Sequence, residues 1–184
     1  MFPEGKNQWL SGRLLAALPT LSDPQFRKSL VFLADHDANG AFGLILNRPF
    51  GKTMGGMLKS EESLPDVMKE IPLYQGGPVQ PDGVIVAVFE PEGGGMKCNL
   101  GGTVKDIERA IKKTDALVRA FVGYSGWQGG QLEVELKTES WKVCKPCEAL
   151  FDDNILDNLW EMYVGDDDRW QELLPFLPDD PTRN

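Results

Sequence analysis

Residues 12–49, GRLLAALPTLSDPQFRKSLVFLADHDANGAFGLILNRP, decide the fold class of this chain. They hold two apolar runs, SLVFLA at 29–34 and FGLIL at 42–46, joined by DHDANGA. Neither run alternates regularly with polar residues, so both predict strands covered on two faces. Asn39-Gly40 in the link suits the tight turn of a hairpin. The link is longer than two residues, so a type I′ turn is not required. The expectation is an antiparallel pair near the centre of a sheet. Leu14–Leu18 adds a short apolar stretch that Pro19 and Ser22-Asp23-Pro24 bring to an end.

Outward from this unit, GKTMGGMLKSEESLPDVMKEIP at 51–72 offers short helical possibilities and no clear strand. Val84–Phe89 reads as a buried strand, and residues 96–100 as a further short one. Thr103 is a candidate N-cap for a helix over Val104–Lys113, with Asp106 favouring its start. Val104, Ile107 and Ile111 would form its apolar stripe, and Lys105, Arg109, Lys112 and Lys113 a solvated face. Ala116–Tyr124 reads as strand and Gln131–Ser140 as helix, with Leu132, Leu136 and Val134 as its inward-facing candidates. Trp141–Val143 is extended. Ile155–Val164 predicts a helix with Ile155, Leu159 and Met162 at the centre of a broad apolar face, and RWQELLPFLPDDPTRN could add a turn or two.

Composition is that of an ordinary globular α/β domain, with 41% hydrophobic and 26% charged residues. We expect one domain over residues 8–178, followed by a flexible tail over 179–184. Nineteen basic against twenty-eight acidic residues give a formal charge of -9, a field that repels nucleic acid and anionic membranes. No apolar stretch is long enough to span a bilayer, and the first fifteen residues lack the pattern of a secretory signal. Three cysteines, an odd number, oppose a secreted disulfide framework, so a cytoplasmic protein is expected.

Possible chemistry meets a structural alternative at each position. Gly51-Lys52-Thr53 resembles the end of a phosphate loop, but Leu46 stands where that loop needs its first glycine. Imidazole side chains titrate near neutrality, and His36 lies between Asp35 and Asp37, so it is a candidate general base. Neighbouring residues of an extended chain point apart, and a histidine tying a loop to the sheet is the competing reading. Cys144-Lys-Pro-Cys147 has the spacing of a redox dithiol or of half a metal site. The EALFDD that follows is a poor helix, and Cys98 and His36 are far away in sequence. Structural thiols, with no cofactor and no metal, are therefore the expectation.

The whole pattern resembles the YqgE/AlgH family of uncharacterised bacterial proteins. The resemblance rests on residues 14–49, on QGGPV at 75–79, on ALVRAFVGYSGWQGGQLEVELKTESW at 116–141 and on LFDDNILDNLWEMYV at 150–164. It implies an α/β (α+β) fold in which a bifurcated β-sheet folds into a pseudo-barrel with flanking helices. It implies no enzyme, cofactor or catalytic set. One branch carries a name linked to transcriptional control of alginate production, but no helix-turn-helix pattern is present here. Cys144 and Cys147 fall where relatives commonly have a different link.

Carried onto this chain, the family signals include Arg27, His36, Asn47 and Gln131, a candidate shared polar site. Gln75, Gly76, Gly77 and Pro78, with Tyr124, Ser125 and Trp127, form two candidate binding loops. The leading expectation is a non-catalytic binding or regulatory protein that recognises a protein or small molecule through those loops. A hydrolase using His36 as base, and a transcriptional regulator, are the alternatives.

Overall fold

The computed structural model describes residues 9–57, 64–93, 95–147, 150 and 156–165. The opening stretch becomes three strands: β1 (Leu14–Ala17), β2 (Leu30–Asp37) and β3 (Gly40–Ile45). The hairpin is tighter than the sequence indicated, because the polar DHD stays in strand pairing and Asp37 faces Gly40 across the turn Ala38-Asn39. Neither turn residue has positive φ, so the turn is not type I′. The Asp37 carboxylate instead holds it, accepting from Asn39 N (2.7 Å) and Nδ2 (3.1 Å).

One irregularity in this hairpin matters for everything at its tip. The register slips between Leu33 and Asp35, leaving Ala34 as an extra residue. Before the slip, Leu30 and Phe32 face one core while Val31 and Leu33 face another. Strict alternation would then send His36 the way of Phe32. The bulge reverses the parity: Asp35 pairs with Phe42, whereas His36 pairs with Ala41, which packs on the core of Val31 and Leu33.

The remaining strands are β4 (Pro49–Thr53), β5 (Pro72–Gln75), β6 (Val79–Glu92), β7 (Gly95–Leu100), β8 (Leu117–Gln128) and β9 (Trp141–Cys144). β4 lies where the sequence showed no clear strand. Its residues Pro49–Lys52 are exposed and it pairs only with β5, so no buried apolar run announces it. The sheet runs β4-β5-β8-β3-β2-β1-β9, with β6 joined to β8 and β7 to β6. β8 is the spine of a curled half-barrel, and there the sheet forks. Residues 120–122 pair with β5 in parallel and also with antiparallel β6, so β5 and β6 lie on opposite sides of β8. Residues 125–128 pair with β3.

Gln75-Gly-Gly-Pro78 must therefore carry the chain across β8. A Cβ on Gly76 would stand 2.2 Å from the Gly123 carbonyl oxygen, and one on Gly77 would stand 2.3 Å from the Tyr124 backbone. Gly123 itself has φ +68°, and a Cβ there would stand 2.4 Å from the Gly77 oxygen. Two backbones in van der Waals contact leave no space for side chains on either.

Among the described residues, five α-helices cover this sheet: α1 (Met54–Met57), α2 (Asp66–Lys69), α3 (Val104–Ile111), α4 (Gln131–Lys137) and α5 (Leu156–Val164). Inside the curl, Phe32, Phe89, Phe121 and Tyr74 meet Leu159 and Trp160 of α5. The Trp160 indole donates to the Ala17 carbonyl at 2.8 Å, so its polar edge is satisfied in the core. On the outer face, Leu132 of α4, Phe26, Trp127 and Trp141 cover Val31, Leu33 and Ile45. A third cluster joins Ile107 of α3 and Met54 of α1 to Val86, Ala120 and Val122. Each fully buried side chain of this size contributes about 1.5–3 kcal/mol.

Thr103 caps α3 as the sequence indicated. Asp106 proves long enough to complete a capping box, its Oδ2 accepting from Thr103 N at 3.1 Å. The inward faces shift in detail: Ala110 is buried beside Ile107, while Val104, Ile111, Val134 and Met162 are exposed. Arg119 is fully buried, its guanidinium 4.4 Å above the Tyr74 ring. Ile155, the segment from Asp166 onward and the tail 179–184 lie outside the described residues.

The three cysteines are free thiols. Burial pushes the Cys98 thiol up to about 12 from an ordinary 9.0 and raises Cys144 as well, whereas Cys147 is exposed and accepts from the Tyr163 hydroxyl at 3.1 Å. Among the described residues, no group of three or more His, Cys, Asp or Glu is gathered to hold a metal.

Gly123→Ala should destabilise by about 2–3 kcal/mol, through strained φ and forced separation of the crossing strands, read as a lower urea midpoint. Iodoacetamide near neutral pH should label Cys147 in the native protein and Cys98 only after unfolding, as peptide mass spectrometry would show. The raised Cys98 thiol also makes the native state bind more protons than the unfolded one above pH 9. Its contribution is present below that and falls as pH climbs towards 12.

Candidate functional site

The four polar residues singled out in the sequence separate into two groups. Asn47 and Arg27 lie where β2 begins. The Asn47 side chain accepts from Leu30 N and donates to the Lys28 carbonyl, both at 2.8 Å. That bridge steadies Lys28, whose φ is +54°. Arg27 offers its carbonyl to Arg48 Nη2 at 2.8 Å. His36 and Gln131 lie at the other end of β2, about 20 Å away at the usual rise per residue. The structure does not bring the four to a single point.

His36 sits on the outer face, where the bulge at Ala34 directs it, and is 4% exposed. Its Nδ1 accepts from the Leu10 amide at 3.0 Å, so the proton of the neutral ring resides on Nε2, which meets Glu133 Oε1 at 3.1 Å. Trp9 packs edge-on against the ring at 5.2 Å. Acting as a base would require the ring to release Leu10 first. Gln131 accepts from Gln128 N at 3.1 Å and donates to Glu135 Oε1 at 2.9 Å.

Glu135, not singled out in the sequence, ties this end together. Its Oε2 accepts from the indoles of Trp127 (2.8 Å) and Trp141 (2.7 Å), which meet edge to face. The signal was present in QLEVELK: Gln131, Leu132 and Glu135 share one helical face. Only the fold shows which indoles that face meets.

The two candidate binding loops are in fact largely strand. Gln75 ends β5, Gly76, Gly77 and Pro78 make the crossing, and Tyr124, Ser125 and Trp127 belong to β8. Ser125 is buried and donates to the Gly76 carbonyl at 3.0 Å. Trp127 packs with α4, so of these residues Tyr124 is the side chain left towards the interior of the curl.

There an open groove of about 650 Å³ lies over the ends of β2, β3 and β8. Phe42 and Tyr124 stack at 4.8 Å, both half-buried against the inner core. Asp35, Asp37, Asn39, Val79, Gly126 and Gln128 complete most of the lining, and among the described residues no lysine or arginine contributes to it. Hydrogen bonds from the Asn39 backbone, then from its side chain, hold the Asp37 carboxyl below the usual carboxylate range. Asp35 is exposed. The groove thus joins two aromatic faces to two carboxylates without a cation.

A smaller hollow of about 300 Å³ lies between α3 and the β6–β7 ribbon. Its charges are matched internally: Arg109 meets Asp106 at 3.2 Å and Lys113 meets Glu90 at 2.5 Å. Little field remains for a charged ligand.

Known proteins are similar to this chain in sequence and in fold. The DUF179 family model, described as AlgH-like, matches residues 14–174. A UPF0301 protein of Stutzerimonas stutzeri is 35% identical over 145 residues, covering 74% of this chain and 77% of that protein. A UPF0301 protein of Streptomyces coelicolor is 33% identical over 191 residues, covering 95% of each. The solution structure of AlgH from Pseudomonas aeruginosa superposes with a TM-score of 0.62 at 28% identity, covering 96% of this chain and 98% of that one. A crystal structure from Corynebacterium diphtheriae, 20% identical, shares the fold at a TM-score of 0.59, covering 95% of this chain and 90% of that one. With most of its length matched by the family model and by these relatives, the chain belongs to the AlgH-like, UPF0301 family.

Proposed function

We propose that this protein is a non-catalytic binding protein whose recognition surface is the groove over Phe42 and Tyr124. One contrast carries the reading. The side chains suited to catalysis, His36, Asn47 and Gln131, use their polar atoms in bonds that hold the fold. The groove instead presents stacked rings and the exposed Asp35 towards solvent. Shallow apolar floors with a few polar groups at the rim are the usual form of a recognition site.

A hydrolase built on His36 is the weaker reading, since the ring's one acceptor nitrogen is engaged by Leu10. A direct DNA-binding regulator is weaker still, since the groove carries carboxylates where phosphate contacts need cations. No helix among the described residues is long and apolar enough to cross a membrane. A cytoplasmic setting suits three free thiols.

Amide chemical shifts recorded against a panel of short peptides, nucleotides and amino acids test the proposal. Ligand-dependent shifts should cluster at Phe42, Tyr124, Gly126 and Gln128. Tyr124→Ala should weaken that binding at least tenfold, about 1.4 kcal/mol. His36→Gln should lower stability by about 1–3 kcal/mol and leave the affinity unchanged. Shifts centred on α3 or on Asn47, or turnover of ester substrates lost in His36→Gln, would overturn the assignment.

A further inference from the structure

The geometry points to an extended, basic peptide segment of a partner protein as the occupant of this groove, added as a strand alongside the end of β8. This rests on the groove being the recognition surface, and it adds the chemistry and backbone form of what binds there.

The first observation concerns hydrogen bonding at the sheet edge. β8 pairs with β6 only as far as Tyr124, opposite Val79. From Ser125 to Gln128 it has β3 on one side and, among the described residues, no strand on the other. The Gln128 amide shows which groups face that open side, since it donates to the Gln131 side chain instead of to β3. Peptide groups alternate sides in an antiparallel ladder, so the N–H and C=O of Gly126 point the same way as those of Gln128. Gly126 is exposed and has no side chain to obstruct a neighbour. Gln131 closes the far end of this edge, leaving a short template of two or three residues. An unpaired edge of this kind is completed by an extended peptide.

The second observation is independent and concerns charge. A strand laid beside Gly126 sends alternate side chains over the groove, towards Phe42, Tyr124 and the two carboxylates. Asp35 and Asp37 share that face because of the bulge at Ala34, and no basic residue among the described ones lines it. A lysine or arginine fits this setting: its stem lies on the aromatic rings and its cation sits beside the carboxylates. An acidic peptide would meet like charge, and a free cation would leave the Gly126 edge unpaired.

The test is fluorescence anisotropy on the full chain with labelled peptides alternating lysine and threonine. An acidic peptide of the same pattern and a form N-methylated at alternate amides serve as comparisons, and Gly126 amide exchange is followed by NMR. The basic peptide should bind and should lose about tenfold in affinity on N-methylation of the amides facing Gly126. Asp35→Asn should cost severalfold, raised salt should weaken the complex, and Gly126 should become protected from exchange. Binding indifferent to N-methylation, with Gly126 unprotected, would overturn strand addition. A preference for the acidic peptide, or equal binding of free lysine amide at the same amides, would overturn the basic segment while leaving the groove as the site. If no ligand moves the groove amides, both this inference and the recognition groove fail.

Discussion

The crossing of Gly76 and Gly77 over Gly123 is the constraint on which the rest of the structure depends. Parallel β5 and antiparallel β6 flank the same residues of β8, so the short link between them has to pass over that strand. It does so at a backbone separation that excludes any Cβ. From that point the sheet divides, β5 continuing one branch and β3 the other, and a single spine supports a curled sheet with three separate apolar clusters. The QGGPV segment has the look of a ligand loop in the sequence because glycine and proline concentrate there. Its composition is explained by steric clearance instead.

The same reasoning applies to the buried polar side chains. Asn47 replaces ladder hydrogen bonds where β2 begins, His36 fastens the chain before β1 to the sheet, and Glu135 collects two indole donors that would otherwise be costly to cover. The Asn47 and His36 bonds join residues 17 and 26 positions apart, a cost in chain entropy that is recovered only when the partners arrive together. Such residues carry little information about ligands, however distinctive their sequence context.

Fold class and most element positions were legible in the sequence because they depend on local apolar runs and caps: β2, β3, the core of β6 and β8, and the Thr103 cap all follow from neighbours in the chain. β4 was not legible, being exposed and held only by pairing with β5. Arg119 hid inside ALVRAFV, where its surroundings read as continuous apolar strand. At the candidate site, Tyr124 stood out but Phe42 and Asp35 did not. Their joint placement depends on a register slip and on strand pairing, neither of which leaves a mark in composition.

That slip at Ala34 makes the chemistry of the hairpin tip depend on strand register rather than on residue identity. With the extra residue, two carboxylates look into the curl and an imidazole looks towards α4. Deleting Ala34 would only straighten the strand, whereas pairing Ala34 itself with Phe42 would exchange the two sets, placing an imidazole among the aromatic rings and carboxylates beneath Glu133. An anionic cleft and a titratable one are thus one register step apart on the same scaffold. Divergence of binding chemistry in such a hairpin can proceed by a change in whether the bulge forms, a route that comparison of aligned residue identities alone does not reveal.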